Sequence, residues 1–321
     1  MSAQVYLRSY LAPLDPWLSR ADVTDILINR PGELWIETAG GGMTHVAAPE
    51  LTEQTLQRLA RQIAAGSHQG VNREHPLLSA SLPDGSRVQI VGPPATRGGI
   101  ALAIRKHNIV DLSMDRLADS GLFEGVADDS GQGDTELEAL LAARHFQAFL
   151  VRAVQLRKTL VLAGGTSSGK TTLLNALVKC VDPGERLIVI EDAPEIRLDH
   201  ANSLGLLAAR GETGETRVEA EDLLQATLRM RPDRILLGEL RGKEAFAFLR
   251  AVNTGHPGSI TTVHADTPGG AIDQITMLAM LGGLEMGWDA IRAYAAQVID
   301  YVVQIRRVDG RRFVSEIAVP S

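Results

Sequence analysis

One segment of the sequence constrains the fold more than any other. Residues 164–171 read G-G-T-S-S-G-K-T, a complete G-x-x-x-x-G-K-S/T pattern. An apolar run at 159–163 comes before it, and a helix is expected to follow over 172–181. A strand, this loop and a helix in succession form the context in which the pattern predicts a P-loop. The chain should therefore contain an α/β domain whose parallel sheet ends beside this loop.

The residue types in the loop explain how it would bind phosphate. Glycines let the backbone turn so that several N–H groups point at the same oxygens, and the positive end of the following helix favours an anion. Lys170 is expected to reach the β- and γ-phosphates, and the Thr171 hydroxyl to ligate the Mg²⁺ that bridges them. We therefore predict ATP and Mg²⁺ as ligands. The predicted nucleotide contacts are Gly164, Gly165, Thr166, Ser167, Ser168, Gly169, Lys170, Thr171 and Thr172.

The acidic residues are concentrated in one segment of the chain. The net charge is −7, and residues 111–138 carry nine acids against one base, Arg116. Within this segment, 119–136 combines Gly, Ser and acids without apolar periodicity, which predicts an exposed connector. We therefore divide the chain into an N-terminal domain at 1–112, a linker at 113–136 and a P-loop domain at 137–321.

The first predicted domain has the pattern of a small α+β unit. Strand-like runs at 26–29, 34–38, 87–91 and 100–106 surround one helical stretch near 51–65. The cluster Gly40-Gly41-Gly42 lies between two runs and indicates a hairpin turn.

The second predicted domain alternates strands with helices. Apolar strands are expected at TLVLAG, RLIVIED, RILLGE and SITTVHA, with helices over 137–156, from Lys170, over 220–230 and from Lys243. Strands that are apolar throughout and separated by helices indicate a parallel sheet covered on both faces. The chain should end in a hairpin that turns at Asp309-Gly310. The expected fold class is therefore α/β, with a mainly parallel P-loop domain and a smaller N-terminal α+β domain.

Two acidic motifs follow predicted core strands, where ligands bind in open α/β sheets. The first, LIVIEDAPEI, contains Glu191, Asp192 and Glu195, and the second, RPDRILLGELRG, contains Glu239. Hydrolysis of a nucleotide requires an acid on the metal side and a group that positions water. We expect Glu195 and Glu239 to supply these two roles. Spacing alone does not decide which of them activates the water.

Two histidines flank the next predicted strand. The motif TGHPGSITTVHAD places His256 before this strand and His264 after it. A histidine can hydrogen-bond a γ-phosphate or a water molecule and so respond to hydrolysis. We predict functional roles for both. Zinc binding is not expected, because the chain has one cysteine and no closely spaced ligand set.

These motifs together resemble those of the secretion-ATPase superfamily. GGTSSGKTT, IEDAPEI, RMRPDRILLGELRG and TGHPGSITTVHAD are similar, in this order, to its P-loop, acidic box, Walker-B-like segment and histidine box. Within the superfamily, the chain most resembles the traffic ATPases of type IV secretion and conjugal transfer. The resemblance covers 137–321 and extends weakly into LPDGSRVQIVGPP and AIRKH. It implies a RecA-like P-loop domain, a hexameric ring, Glu195 as the water-activating carboxylate and Glu239 as the metal-side or water-positioning one.

The resemblance also implies roles for several arginines. In such rings ATP lies between the N-terminal and C-terminal domains, and arginines of the N-terminal domain close over the nucleotide. Arg87 and Arg105 lie in the matching motifs, and guanidinium groups suit phosphate. Arg229 and Arg231 are candidates to act across a subunit boundary.

Composition limits the location and partners that we expect. No apolar run approaches the roughly 20 residues of a membrane-spanning helix, and the N-terminus lacks the features of a signal peptide. The sequence also lacks the broad basic face of a nucleic-acid-binding protein. We expect a cytoplasmic protein at the inner-membrane face, with peripheral membrane contact left open. The expected partners are copies of itself and inner-membrane secretion-channel components, without sequence-specific nucleic acid binding.

Several alternatives stay open at this point. A type IV pilus retraction motor carries similar motifs, and type II secretion motors commonly carry a four-cysteine module that this chain lacks. A nucleotide-gated assembly scaffold with incidental hydrolysis is an alternative from another class. A nucleic-acid motor is disfavoured by the absence of a basic patch.

Overall fold

The computed structural model describes residues 2–107, 113–119, 132–209, 215–283 and 285–320. These residues form two sheets with helices around them, in agreement with the expected α/β fold class. In the described residues, no helix combines the length and the apolar character needed to cross a bilayer.

The N-terminal sheet has six antiparallel strands in the order β3-β2-β1-β6-β5-β4. The runs predicted at 26–29, 34–38, 87–91 and 100–106 all contain strands, and β2 pairs with β3 across the glycine turn, as predicted. Strand β4 was not predicted. The strands are β1 (Val23–Ile28), β2 (Gly32–Thr38), β3 (Met43–Ala48), β4 (Leu77–Ser81), β5 (Arg87–Val91) and β6 (Ala101–Arg105).

Three helices accompany this sheet: α1 (Ser2–Leu11), α2 (Asp15–Leu18) and α3 (Glu53–Gly66). Helix α3 matches the helix predicted near 51–65. It begins after Thr52, whose side chain accepts a hydrogen bond from the Thr55 amide at 3.2 Å, and it buries Leu56, Leu59 and Ile63 at helical spacing. Helix α1 was not predicted and packs against α3.

The C-terminal sheet has seven strands in the order β13-β12-β7-β11-β10-β8-β9. All neighbours are parallel except the terminal hairpin, which turns at Asp309 and Gly310 with φ of 50° and 79°. The mainly parallel sheet and the hairpin turn at Asp309-Gly310 were both predicted and are confirmed, whereas β9 was not predicted. The strands are β7 (Leu160–Ala163), β8 (Leu187–Glu191), β9 (Ser203–Leu207), β10 (Arg234–Leu237), β11 (Ile260–Val263), β12 (Tyr301–Val308) and β13 (Arg311–Ala318).

The remaining helices differ from the sequence prediction at several points. The helices at Pro268–Met280 and Trp288–Val298 were not predicted, and one predicted helix is divided. The helix expected over 137–156 is two helices, because the chain turns at Arg144, whose φ is 57°. The helices are α4 (Met114–Asp119), α5 (Gln132–Ala142), α6 (Phe146–Gln155), α7 (Lys170–Val178), α8 (Ala220–Thr227), α9 (Glu244–Asn253), α10 (Pro268–Met280) and α11 (Trp288–Val298). Helix α4 and the start of α5 fall within the predicted linker 113–136. Since 120–131 lies outside the described residues, the domain boundaries stay a prediction.

The two sheets share a hydrophobic core. Leu27, Val91 and Ala103 of the N-terminal sheet belong to the same buried cluster as residues of β8, β9 and β10. A buried polar contact reinforces this packing: the Arg186 guanidinium donates to the side-chain oxygens of Asn29 at 2.8 Å and Asn202 at 2.6 Å. Burial lowers the pKa of Arg186 to about 9.

Candidate functional site

The loop between β7 and α7 has the geometry of a phosphate-binding loop. Ser167 and Gly169 adopt positive φ values of 60° and 102°, which turn the backbone immediately before α7. A Cβ atom at Gly164 would lie 2.6 Å from both the Ile305 carbonyl oxygen and the Ser168 Oγ, so this position has no room for a side chain. The loop therefore places the amino end of α7 at the mouth of a cleft, where an anion is favoured.

Lys170 is held inside this loop. Its Nζ donates to the carbonyl oxygens of Gly164 at 2.8 Å and Gly165 at 3.2 Å, and lies 3.4 Å from His264 Nδ1. Burial lowers the pKa of Lys170; the charge of Glu239 opposes this shift and that of Arg241 adds to it. Within the described part of the chain, the buried Ser168 Oγ makes no hydrogen bond. The loop thus holds one confined cation and one unused hydroxyl, which suit phosphate oxygens.

A cleft of about 510 Å³ opens in front of the loop. Its walls come from residues that follow β7, β8, β10 and β11, because the carboxyl ends of parallel strands meet at one edge of the sheet. Lys170, Glu195, Glu239 and His264, which the sequence analysis singled out, all line this cleft. The lining also includes predicted loop residues, namely Thr166, Ser167, Ser168, Gly169, Thr171 and Thr172.

The acidic segment at the end of β8, residues 191–196, faces the start of α7. The Thr171 hydroxyl donates to Glu195 Oε2 at 3.3 Å, and the Glu195 side chain is exposed in the cleft. The neighbouring Glu191 is buried, and its Oε2 accepts hydrogen bonds from the backbone amides of Glu195 and Ile196, each at 3.0 Å. The two glutamates therefore have different roles. Glu191 holds the backbone at Glu195 and Ile196, and Glu195 presents its own carboxylate to the cleft.

Glu239 lies between His264 and Arg241. His264 Nε2 lies 2.6 Å from Glu239 Oε1, and the Arg241 guanidinium is ion-paired with Glu239 Oε2. The hydrogen bond to Glu239 raises the pKa of Arg241, and Arg241 also lies 3.4 Å from Asp192. Arg241 was not predicted from the sequence, although it lies in the same GELRG motif as Glu239. Arg312 of β13 was not predicted either; it lines the cleft and donates to the Ser167 carbonyl at 3.2 Å.

The oxygen ligands in the cleft fit a small hard cation held together with phosphate. Among the described residues, no group of three His, Cys, Asp or Glu side chains is arranged to hold a metal by itself. Mg²⁺ in nucleotide sites usually takes only one or two protein oxygens and completes its shell with phosphate and water. Thr171 Oγ1 and the carboxylates of Glu195 and Glu239 are of this type.

His256 is not brought to this cleft. It precedes β11, whereas His264 follows it, so the two rings lie at opposite ends of the strand. His256 Nδ1 is 2.9 Å from the Pro232 carbonyl oxygen, and burial lowers the pKa of the ring.

Arg87 and Arg105 are also absent from the P-loop cleft. They lie opposite each other on β5 and β6 and line a second cleft of about 520 Å³ together with Arg229. Arg105 donates to Asp25 at 3.0 Å. Arg231, another candidate from the sequence, is paired within the chain: its guanidinium contacts both Glu37 carboxylate oxygens, at 2.7 and 2.5 Å.

Comparison with known proteins agrees with this geometry. The family described as type II/IV secretion system protein matches residues 128–306. The chain is 38% identical over 324 residues to the type IV secretion system protein VirB11 of Bartonella henselae, covering 96% of this chain and 91% of the relative. It is 42% identical over 309 residues to the type IV secretion system protein PtlH of Bordetella pertussis, covering 94% and 91%.

A solved structure has the same architecture. The VirB11 ATPase of the Brucella suis type IV secretion system, crystallised with sulphate, superposes with a TM-score of 0.91 at 37% identity, covering 98% of this chain and 97% of that one. The chain therefore belongs to the type II/IV secretion system protein family and, within it, to the VirB11-type ATPases.

Proposed function

We propose that this protein hydrolyses ATP to ADP and phosphate and that the reaction powers type IV secretion, pilus assembly or conjugal DNA transfer. The observation that carries the proposal is the single cleft in which Lys170, Thr171, Glu195, Glu239 and His264 meet. Such a cleft combines phosphate-binding amides, a buried cation and two carboxylates, which are the groups that phosphoryl transfer to water requires.

In this proposal, the loop and Lys170 bind the terminal phosphates. Lys170 exchanges its carbonyl contacts for phosphate oxygens, and Ser168 gains a hydrogen-bond acceptor. Thr171 and Glu239 would hold Mg²⁺, directly or through water. When bound, Mg²⁺ neutralises the charge that develops on the β- and γ-phosphates.

We assign the activation of water to Glu195 rather than to Glu239. Glu195 presents an exposed carboxylate that accepts a hydrogen bond from the Thr171 hydroxyl at 3.3 Å, beside the start of α7. Glu239 is paired with Arg241 and His264 on both oxygens, which fixes its position. An acceptor held in this way suits the positioning of metal or water, and His264 then reports the occupancy of the cleft through Glu239 and Lys170.

The ring and the partners belong to the same proposal. Arg87, Arg105 and Arg229 line the second cleft, and no P-loop residue is among its described lining residues. We propose that the protein assembles as a homohexamer and that Arg87 and Arg105 contact a nucleotide only in the assembled or closed ring. The proposed location is the cytoplasmic face of the inner membrane, beside the secretion channel. The role predicted for His256 stays a prediction.

A phosphate-release assay on the full chain tests the catalytic part. We expect Lys170→Ala to abolish turnover and nucleotide binding, because it removes the buried cation from the loop. We expect Glu239→Gln to lower turnover about 10²–10³-fold while nucleotide binding is better retained, as when one positioned polar group of an active site is lost. Lys179→Ala is the matched control, since Lys179 is exposed just after α7.

Two outcomes would redirect the proposal. Full phosphate release by Glu239→Gln would refute its catalytic role. Normal secretion in cells that carry only a hydrolysis-dead variant would favour a nucleotide-gated scaffold over a motor.

A further inference from the structure

The N-terminal domain reaches the edge of the C-terminal sheet through a short segment, residues 95–97. The Leu207 amide donates to the Ala95 carbonyl at 2.9 Å, and the Arg97 amide donates to the Gly205 carbonyl at 3.0 Å. Thr96 forms an antiparallel bridge with Leu206 of β9, the edge strand. These backbone hydrogen bonds fix the position of the Arg97 Cα atom, from which the side chain extends.

Gly205 allows this close approach. A Cβ atom at Gly205 would lie 2.5 Å from Arg97 Cδ and 2.7 Å from Arg97 Nε, so the arginine side chain passes directly over the glycine. A glycine inside a strand often marks such a contact.

The Arg97 guanidinium ends on the acidic segment behind the cleft. It is ion-paired with Glu191 Oε1 and donates to the Ile196 carbonyl at 2.7 Å. The side chains of Arg97 and Glu191 are only 20% and 4% exposed. The other oxygen of Glu191 accepts the backbone amides of Glu195 and Ile196. One buried carboxylate thus connects Arg97 to the backbone that carries Glu195.

This arrangement makes the position of Glu195 depend on Arg97. Without the guanidinium, Glu191 would be a buried carboxylate without its cation, which favours a move toward water and away from the two amides. A displacement of about 1 Å in an active site can lower the rate about 100-fold, even when the altered residue does not touch the substrate.

We propose that Arg97 is a positioning residue, through which the N-terminal domain holds Glu195 in place against the P-loop. The inference rests on the proposed ATPase function and adds a specific dependence: turnover requires residues 95–97 to be docked on β9. Movement of the N-terminal domain would then release the Glu195 segment and slow hydrolysis.

Kinetics of four full-length variants test this proposal. We expect Arg97→Ala to lower kcat about 10- to 100-fold, with the nucleotide Kd changed less than about threefold because the phosphate loop is untouched. Arg97→Lys should recover part of the activity. Gly205→Ala should also lower kcat by displacing the arginine, and it should cause no further loss when added to Arg97→Ala.

A matched control separates positioning from general loosening of the domains. Arg73 of the N-terminal domain is also paired with a glutamate of the P-loop domain, Glu215, but both side chains of this pair are more than 60% exposed. Arg73→Ala should keep the wild-type kcat. A wild-type kcat in Arg97→Ala, or an equal loss in Arg73→Ala, would overturn the proposal, as would a Kd that rises in step with the fall in kcat.

Amide hydrogen exchange gives a second measurement that does not depend on turnover. The Ile196 amide donates to Glu191, whereas the Glu195 amide donates both to Glu191 and to the Ala193 carbonyl at 2.8 Å. The Ile196 amide should therefore exchange faster in Arg97→Ala and at the wild-type rate in Arg73→Ala. Unchanged exchange in Arg97→Ala would overturn the positioning role. If the wild type released no phosphate but exchange responded as expected, the proposed ATPase function would fail and the Arg97 contact would stand.

Discussion

The contact between Arg231 and Glu37 allows a quantitative prediction about how the two domains are held together. Arg231 follows α8 in the P-loop domain, and Glu37 lies on β2 of the N-terminal sheet. The guanidinium makes two hydrogen bonds to the Glu37 carboxylate, at 2.7 and 2.5 Å, and a third to Asp233 at 2.9 Å. Burial lowers the pKa of Arg231, but the hydrogen bonds to Glu37 and Asp233 outweigh this effect and raise it overall.

The exposure of the three side chains sets the expected magnitude. Exposed ion pairs contribute about 0.2–1 kcal/mol, and breaking a fully buried pair costs about 3–5 kcal/mol because a charge is left without a partner. The side chains of Arg231, Glu37 and Asp233 are 30%, 15% and 20% exposed, so the cost of breaking their contacts should lie between these two energies. We therefore expect Arg231→Met to lower the free energy of unfolding by about 2–3 kcal/mol. The coupling energy with Glu37→Gln should be about 1–2 kcal/mol.

Urea unfolding followed by tryptophan fluorescence provides the measurement. The chain has three tryptophans, of which Trp17 and Trp35 report on the N-terminal domain and Trp288 on the P-loop domain. Circular dichroism should be recorded on the same samples, because a two-domain chain can unfold in more than one step. Arg58→Met, at an exposed position of α3, is the control and should change stability by less than about 0.5 kcal/mol.

A coupling energy below about 0.5 kcal/mol would refute the reasoning, since it would equal that of an ordinary surface pair. Unchanged stability combined with lost ATP turnover would instead indicate that Arg231 acts on a neighbouring subunit.

Three further predictions follow from the site and the core. Gly164→Ala should weaken ATP binding about tenfold or more in a fluorescent-nucleotide titration, because a methyl group there would meet two oxygens at 2.6 Å. Gly269→Ala should leave binding unchanged, because a methyl group there would have no neighbour within 4 Å. ATP affinity should fall as the pH rises through the lowered pKa of Lys170, and ATP binding near that pH should take up protons, because phosphate favours the charged amine that burial disfavours. Calorimetry in buffers of different ionisation enthalpy would detect the proton uptake. An ATP affinity that stays constant with pH up to the ordinary lysine range would contradict the prediction. Phe149→Ala should lower the free energy of unfolding by about 3–5 kcal/mol, because the ring is fully buried and meets Tyr301 edge-on at 4.9 Å; a loss under about 1 kcal/mol in urea titration would contradict this.

The elements that the sequence predicted well depend on neighbouring residues. The P-loop requires its glycines at fixed spacing between a strand and a helix, and β7, the loop and α7 are found where the motif indicates. The buried strands β8, β10 and β11 are apolar throughout, and the Asp309-Gly310 turn needs two residues that tolerate positive φ. Because the carboxyl ends of parallel strands meet at one edge, the order of motifs was enough to bring Glu195, Glu239 and His264 to the loop.

Other features were decided only by contacts between distant parts of the chain. The helix expected over 137–156 is interrupted at Arg144, which apolar periodicity does not reveal. His256 has a motif as distinctive as that of His264, but it precedes β11 and therefore lies at the opposite edge of the sheet. Arg87 and Arg105 belong to strands whose exposed face lines a different cleft.

The sequence by itself determined the P-loop, the parallel sheet and the carboxylates at its edge. Each of these depends on the spacing and polarity of residues within one short segment. The tertiary structure alone decided that Arg97 meets Glu191 and that Arg231 meets Glu37. Each pair joins residues from different domains, nearly 100 or more positions apart. Such contacts depend on how the two sheets pack against each other, and no local pattern of residue types encodes that orientation.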